Sequence, residues 1–106
     1  MLDPQMKKGL LEGCVLAALS RGDSYGYQLI KDISPYIVLS ESTLYPILRR
    51  LEGAGHLTCY SVEHSGRLRK FYRITPAGRA RLNEFIADWD ELLGIYRFIK
   101  DGEPHD

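Results

Sequence analysis

Residues 57–74 read LTCYSVEHSGRLRKFYRI, and this stretch decides the fold. Two runs, 57–64 and 67–75, are rich in β-branched and aromatic residues, and Ser65-Gly66 separates them. Such a pattern predicts two antiparallel strands joined by a two-residue turn. The sequence therefore predicts a β-hairpin, which the remaining segments must pack around.

The alternation of side chains along the hairpin predicts which face is buried. With a two-residue turn, Leu57 pairs with Ile74 and Cys59 pairs with Tyr72, and these four side chains form the expected core face. The opposite face would carry Arg67, Arg69, Phe71 and Arg73. A shift of the register by one residue would exchange the two faces.

Three helices are predicted before the hairpin and one after it. Apolar residues at helical spacing, bounded by Gly, Pro and capping residues, place the first three over 6–20, 24–33 and 40–55. The last helix begins at Pro76, with Thr75 as its cap.

Pro46 conflicts locally with the third helix. A proline in a helix interior removes one backbone hydrogen bond and clashes with the preceding turn, at a cost of about 3 kcal/mol. The conflict is smaller when the proline lies in the first turn. We therefore expect the regular part of this helix to begin near Thr43, or the helix to bend slightly at Pro46.

This order of elements predicts an α+β fold, mostly α: a winged helix-turn-helix of three helices and a two-stranded wing, followed by a long C-terminal helix. In such a fold the third helix enters the major groove of DNA. Its inner face would be Leu44, Ile47, Leu48 and Leu51. Its outer face would be Ser42, Tyr45, Pro46 and Arg49, with Arg50 at the edge. Hydroxyl and guanidinium groups can bind base edges and phosphates, although a solvated polar face is the commoner role of such residues taken alone.

The charge distribution favours a polyanion as partner. The chain has no net charge, yet residues 49–81 hold eight basic and two acidic residues, whereas 82–106 hold two basic and seven acidic ones. Five cations lie within 64–79 with no acid among them: Arg67, Arg69, Lys70, Arg73 and Arg79. Protection of an edge strand explains one or two of them. The whole group is typical of a surface that binds phosphates.

The sequence does not indicate an enzyme. His56, His64 and His105 are scattered, and neither a Ser-His-Asp arrangement nor a phosphate-binding loop is present. Cys14 and Cys59 lie singly in apolar surroundings without metal-ligand spacing, so we expect buried, reduced thiols. No catalytic residue, metal or cofactor is therefore expected.

Three segments carry a resemblance to a known family: KKGLLEGCVLAALSRGDSYGYQLIKDIS (7–34), SESTLYPILRRLEGAGHL (40–57) and GRLRKFYRITPAGRARL (66–82). They resemble the PadR family of bacterial transcriptional regulators, and within it the small subfamily with a single C-terminal dimerisation helix. The resemblance spans roughly residues 6–100. It implies a winged-helix repressor that binds operator DNA as a homodimer.

The resemblance also implies which residues contact DNA. They are Ser42, Thr43, Tyr45, Pro46, Arg49 and Arg50 in the recognition helix, Arg67, Arg69 and Lys70 in the wing, and Tyr25 in SYGYQL. At least one of Tyr25 and Tyr27 is expected to be a packing residue. Lys7 and Lys8 begin the first helix, where contact with the DNA backbone and simple solvation are both consistent with the sequence.

The last helix contains an apolar heptad pattern. Two interleaved sets repeat at seven-residue spacing, Leu82, Trp89 and Tyr96 in one and Phe85, Leu92 and Ile99 in the other. Ile86 and Leu93 widen the stripe that they form. A domain this small cannot bury such a stripe alone, so we expect it to pair with a second copy, with the first helix adjoining. A two-fold dimer predicts an inverted-repeat operator whose half-site centres are separated by multiples of about 10 bp.

Trp89 has two interpretations. A tryptophan at a heptad position is most often part of a dimer core. In some relatives a tryptophan on this helix stacks on flat aromatic ligands, so the resemblance also implies a small aromatic effector at Trp89. The neighbouring Asp88, Asp90 and Glu91 would favour cationic compounds, or simply keep the helix soluble.

We expect one packed unit with two functional parts, a DNA-binding domain over 1–75 and a dimerisation helix over 76–106. Glu12 interrupts the apolar N-terminal stretch, which is interpreted as a helix of the mature protein, and no membrane segment is predicted. The expected location is the bacterial cytoplasm, at the nucleoid. The expected partners are double-stranded operator DNA, a second copy of the chain and a small-molecule effector. The alternative is a winged-helix module that binds protein, which would not need the basic hairpin.

Overall fold

The computed structural model describes residues 2–102, which form four helices and a small antiparallel sheet. The elements, in chain order, are α1 Pro4–Ser20, β1 Ser24–Tyr25, α2 Gly26–Ile33, α3 Glu41–Gly53, β2 Leu57–His64, β3 Arg67–Ile74 and α4 Pro76–Asp101. This is the predicted α+β winged helix-turn-helix with a long C-terminal helix. Residues 103–106, which belong to the predicted C-terminal segment, lie outside the described residues.

A leucine-rich core joins α1, α2, α3 and the sheet. Leu16, Leu29, Leu44 and Leu57 come from these four parts of the fold, and each is at most 2 % exposed. Burying such a side chain contributes about 1.5–3 kcal/mol. The predicted inner face of the third helix is confirmed, because α3 buries Leu44, Ile47, Leu48 and Leu51. The opposite side of α3 therefore faces solvent.

The hairpin has the predicted register. Leu57 pairs with Ile74, and Cys59 pairs with Tyr72. The turn residues Ser65 and Gly66 both have positive φ, 52° and 78°, as a type I′ turn requires. Because this turn matches the twist of the flanking strands, it fixes the register and thus the two faces of the wing.

The strand β1 was not predicted. Ser24 pairs with Tyr72, and Tyr25 pairs with Phe71, so the predicted two-stranded wing belongs to a three-stranded sheet with the order β1-β3-β2. The predicted helix over 24–33 begins only at Gly26 as a result. A two-residue strand is too short to show an alternating pattern. It forms because β3 supplies hydrogen-bonding partners for its backbone.

Pro46 lies inside α3, which begins at Glu41, so the first of the two expectations, a regular helix beginning near Thr43, is wrong. The second, a slight bend at Pro46, stays a prediction. The helix begins at Glu41, after Ser40, whose carbonyl oxygen accepts hydrogen bonds from the amides of Thr43 (3.1 Å) and Leu44 (2.9 Å). These bonds fix the first turn before the proline is reached. Pro46 is on the exposed side, where water can hydrate the carbonyl group that loses its backbone partner.

The helix α4 begins as predicted, with Thr75 accepting a hydrogen bond from the amide of Gly78 and Pro76 in the first position. Its N-terminal part packs on the rest of the chain. Leu82, expected in a dimer seam, lies in the chain's own core, and the ring of Phe85 lies against α1. The molecule measures 59 × 29 × 21 Å. Within residues 2–102, no helix is both long and apolar enough to cross a membrane.

Candidate nucleic-acid interface

The exposed side of α3 presents six of the predicted DNA-contacting residues. They are Ser42, Thr43, Tyr45, Pro46, Arg49 and Arg50. Counting about 100° per residue around the helix, Ser42, Pro46 and Arg49 form the outermost stripe. Tyr45 lies on one flank of this stripe, and Thr43 and Arg50 lie on the other. The six residues therefore divide into a central stripe and two flanks.

The Tyr45 flank of α3 meets the wing. Tyr45 helps to line a groove of about 210 Å³ together with Arg69 and Lys70 of β3, Tyr25 of β1 and Tyr27 of α2. The structure thus brings predicted residues of the recognition helix, the wing and the SYGYQL segment to one concave surface. The surface combines phenol rings with two cations.

Gly26 allows Tyr45 to lie close to the start of α2. A Cβ atom at position 26 would be 2.5 Å from the Tyr45 hydroxyl oxygen. Any larger residue there would force the phenol ring to move, because real Cβ contacts of this length do not occur. The location of Tyr45 on the α3 flank is therefore set by packing against α2.

A row of aromatic rings on the outer face of the sheet positions Arg69. The guanidinium carbon of Arg69 lies 4.3 Å from the centre of the Tyr25 ring. Tyr25 packs on Phe71, with ring centres 5.3 Å apart, and Phe71 stacks on Tyr60 at 5.8 Å. A cation–π contact at an exposed site contributes about 0.5–1 kcal/mol. Tyr25 is thus a packing residue that restrains Arg69, whereas Tyr27 is 62 % exposed.

Arg73 shares this outer face but is bound by a carboxylate. The Oδ2 atom of Asp23 accepts a hydrogen bond from the Tyr60 hydroxyl at 2.6 Å and another from Nε of Arg73 at 3.0 Å. The Tyr60 hydroxyl, followed by the Arg73 guanidinium, holds the pKa of the Asp23 carboxyl below its ordinary value. These contacts tie the loop between α1 and β1 to the base of the wing.

Replacing Tyr60 with phenylalanine should raise the pKa of Asp23, because it removes the hydrogen bond that lowers this pKa most. A lowered carboxyl pKa stabilises the folded state above the unfolded-state value, and the contribution is lost as pH falls through the folded-state value. The midpoint can be followed by NMR of the Asp23 carboxyl carbon. Tyr36→Phe, at a tyrosine that is 87 % exposed, is the control. An unchanged Asp23 midpoint in Tyr60→Phe would contradict this hydrogen bond.

Two other cations also contact the chain itself. Nε of Arg50 donates a hydrogen bond to Oε1 of Glu12 in α1 at 2.6 Å, and the two side chains form an ion pair. Nη1 of Arg79 donates to the carbonyl oxygen of Ser20 at 3.4 Å. Together with Arg73 of the hairpin, three cations around the wing therefore contact the protein itself, and fewer are free than the sequence suggests. In the part of the chain that the structure describes, four of the basic residues predicted to contact DNA have no carboxylate within ion-pair distance: Arg49, Arg67, Arg69 and Lys70.

The chemistry of the exposed groups suits binding more than catalysis. Among residues 2–102, no group of three or more His, Cys, Asp or Glu side chains could hold a metal ion. Cys14 and Cys59 are free and half-buried, and burial raises the pKa of the Cys14 thiol. Cations, hydroxyls and aromatic rings on one surface are the groups that contact phosphates and bases.

The amino-acid sequence that carries these groups is similar to the sequences of known transcriptional regulators. The model of the transcriptional regulator PadR-like family matches residues 15–84. The transcriptional regulator Rv3488 of Mycobacterium tuberculosis is 36% identical over 92 residues, which cover 86% of this chain and 83% of that protein. A protein of Lysinibacillus sphaericus without an assigned role is 32% identical over 107 residues, covering 96% of this chain and 98% of its own.

Solved structures with a similar fold include a PadR-like transcriptional regulator. The smu.1704 protein from Streptococcus mutans has a TM-score of 0.81 and 39% identity, covering 93% of this chain and 94% of that one. A PadR-like transcriptional regulator from Bacillus cereus has a TM-score of 0.82 and 33% identity, covering 93% of this chain and 99% of that one. Rv3488 and the Bacillus cereus protein are transcriptional regulators by name, and the sequence likewise did not indicate an enzyme. With its fold, its family match and these relatives in agreement, the chain belongs to the PadR-like family of transcriptional regulators.

Proposed function

We propose that this protein binds double-stranded operator DNA, with α3 in the major groove and the wing along the sugar–phosphate backbone. The observation that carries the proposal is the groove in which Tyr45 of α3 meets Arg69 and Lys70 of the wing. An α-helix fits the major groove, and cations beside it would lie where the backbone borders that groove. One continuous surface would therefore contact bases and phosphates together.

The central stripe of α3 and the wing have different roles in this proposal. Arg49 and Ser42 would read base edges, since a guanidinium pairs bidentately with guanine and a hydroxyl serves several bases. Arg67, Arg69 and Lys70 would bind phosphates, which adds affinity without sequence information. Specificity would accordingly depend on the stripe, and general affinity on the wing.

A homodimer is the second part of the proposal, and the C-terminal half of α4 supports it. The apolar side chains there are exposed in the single chain: Leu92 by 39 %, Leu93 by 45 %, Tyr96 by 51 % and Ile99 by 73 %. A contiguous apolar surface of this kind marks an interaction site. Because Leu82 is used within the chain, the dimer seam would begin near Phe85 and Trp89. In this proposal residues 1–75 would form the DNA-binding domain, and the C-terminal part of the chain would dimerise through α4, Pro76–Asp101.

Two-fold pairing through α4 would present two copies of α3 to the DNA. The operator would then be an inverted repeat with half-site centres separated by multiples of about 10 bp. Occupying an operator that overlaps a promoter would repress transcription, and a reporter gene would measure this. The protein would act in the bacterial cytoplasm, at the nucleoid.

Trp89 is the proposed site for a small aromatic effector at the dimer interface. Its ring is half-buried and lies 6.0 Å from the ring of Phe85, measured between centres. The exposed carboxylates of Asp88 and Asp90 flank it in sequence, and they would favour a cationic compound. An effector bound there would change the contacts between the two α4 helices. These contacts would set the spacing between the two copies of α3.

Arg69→Ala should weaken binding to every DNA sequence and reduce its salt dependence. Each lost phosphate contact lowers the slope of log K against log salt by about one unit, so the dimer should lose about two. The measurement is titration of an arbitrary duplex at salt concentrations of about 50 and 200 mM. Arg97→Ala removes an exposed cation near the C-terminal end of α4 and should leave the slope unchanged.

Two results would count against the proposal. Wild-type protein that binds no duplex at low salt, or binds with no salt dependence, would favour the alternative module that binds protein. An unchanged slope in Arg69→Ala, with normal wild-type binding, would exclude Arg69 from the backbone contacts.

A further inference from the structure

A second basic groove lies on the other flank of α3, away from the wing. It has a volume of about 420 Å³ and runs between the first turns of α1 and the side of α3 that carries Thr43, Pro46 and Arg50. Lys7 and Lys8 line it from α1. The recognition helix is therefore bordered by cations on both sides, by the wing on one and by α1 on the other.

The nearby acids leave these lysines free. Asp3 caps α1, since its Oδ2 atom accepts hydrogen bonds from the amides of Gln5 (3.0 Å) and Met6 (3.2 Å). Glu12 is paired with Arg50. Neither Lys7 nor Lys8 has a carboxylate within ion-pair distance in the described range 2–102. The groove is thus positively charged. Its charge comes from the Lys7 and Lys8 side chains and not from the first amides of α1, because Asp3 caps those amides.

The walls of the groove combine an apolar floor with the two lysines. Leu11 of α1 and Ile47 of α3 form its apolar floor, and Lys7 is half-buried. A lysine packs its methylene chain on such a floor and keeps its ammonium group at the rim. The ion pair between Arg50 and Glu12 joins the same two helices, so it helps to set the position of the α1 backbone, which carries the lysines, relative to the recognition helix.

The dimensions of DNA indicate what the two flanks would meet. The major groove is about 12 Å wide, and an α-helix with its side chains is about 10–12 Å across. A helix that fills the groove therefore has one phosphate backbone on each side. Resting on the proposed DNA binding, we propose that Lys7 and Lys8 form a second backbone-binding site, which receives phosphates of the strand opposite to the one held by the wing.

The test compares the double variant Lys7→Ala/Lys8→Ala with the wild type on the same duplex. The slope of log K against log salt should fall by about 0.9 for each lost phosphate, or by between three and four units for the four lysines of a dimer. Lys7→Arg/Lys8→Arg keeps the charge and should keep the slope. Arg97→Ala/Lys100→Ala removes the same charge from α4 and should also keep it, with dimerisation checked by light scattering.

Neutral methylphosphonate linkages placed one at a time in a bound operator duplex locate the contacts. For the wild type, sensitive positions should occur on both strands at each half-site, and the alanine variant should lose those of one strand only. If the wild type binds DNA and the alanine variant has the same slope and the same sensitive positions, this inference is overturned while the proposed function stands. A wild type that binds no duplex at low salt overturns both.

Discussion

Replacing Leu92 with aspartate is expected to convert the protein into a folded monomer that no longer binds operator DNA. Leu92 is 39 % exposed in the single chain, so the change should not disturb the core. In the proposed dimer it would bury one unpaired carboxylate per protomer. Each would cost at least about 3 kcal/mol, and the pair would raise the dissociation constant by about four orders of magnitude. Light scattering measures the change.

Ala87→Asp is the matched control for this prediction. Ala87 is exposed on α4 and lies at the heptad position opposite the seam, so the same charge is added where no pairing is proposed. This variant should remain a dimer and bind DNA as the wild type does. A Leu92→Asp protein that is still dimeric would place the interface elsewhere on the molecule. A monomer that still binds operator DNA with full affinity would show that dimerisation is not needed.

Local signals were sufficient for much of the fold. Ser65-Gly66 specifies a type I′ turn, and both residues have the positive φ that this turn needs. Thr75 and Pro76 specify a helix start, and α4 begins there. These predictions were correct because each depends on a few adjacent residues whose conformational preferences agree with the fold around them.

Contacts between distant residues could not be predicted in the same way. Asp23 and Arg73 are 50 residues apart, and Glu12 and Arg50 are 38 apart. Helical and strand repeats relate only residues that are close in sequence, so no sequence pattern could have revealed either pair. These pairs nevertheless decide which cations are free, so a count of basic residues overestimated how many cations are available to bind phosphates. Lys7 and Lys8, which the sequence left open between DNA contact and solvation, lie beside the recognition helix because α1 packs next to α3.

Pro46 shows why a local penalty does not fix a helix boundary. The cost of about 3 kcal/mol refers to the interior of a helix whose hydrogen bonds are all otherwise made. In α3 the buried Leu44, Ile47, Leu48 and Leu51 hold both sides of the proline in one helix. Packing therefore outweighs the missing bond, and the helix continues through Pro46.

Gly78→Ala should destabilise the protein more than any surface change considered above. A Cβ atom at this position would lie 2.0 Å from the backbone carbonyl oxygen of His56 and 2.7 Å from Cγ1 of Ile74. The same carbonyl oxygen accepts a hydrogen bond from the Thr75 amide at 3.1 Å, so it cannot move away without breaking the junction between β3 and α4. Overpacking of this kind costs about 3 kcal/mol, which lowers the Tm of a small domain by roughly 15 °C.

Gly94→Ala makes the same substitution in the same helix with the opposite expected sign. No atom lies within 4 Å of a Cβ built at Gly94, and alanine in a helix interior is favoured over glycine by up to about 1 kcal/mol. Thermal unfolding followed by circular dichroism should therefore show a lower Tm for Gly78→Ala and an equal or higher one for Gly94→Ala. Protein concentration must be the same in each experiment, since association makes the Tm concentration-dependent. Equal Tm values for Gly78→Ala and the wild type would mean that α4 can shift away from His56 at little cost, and that its direction is not fixed by this contact.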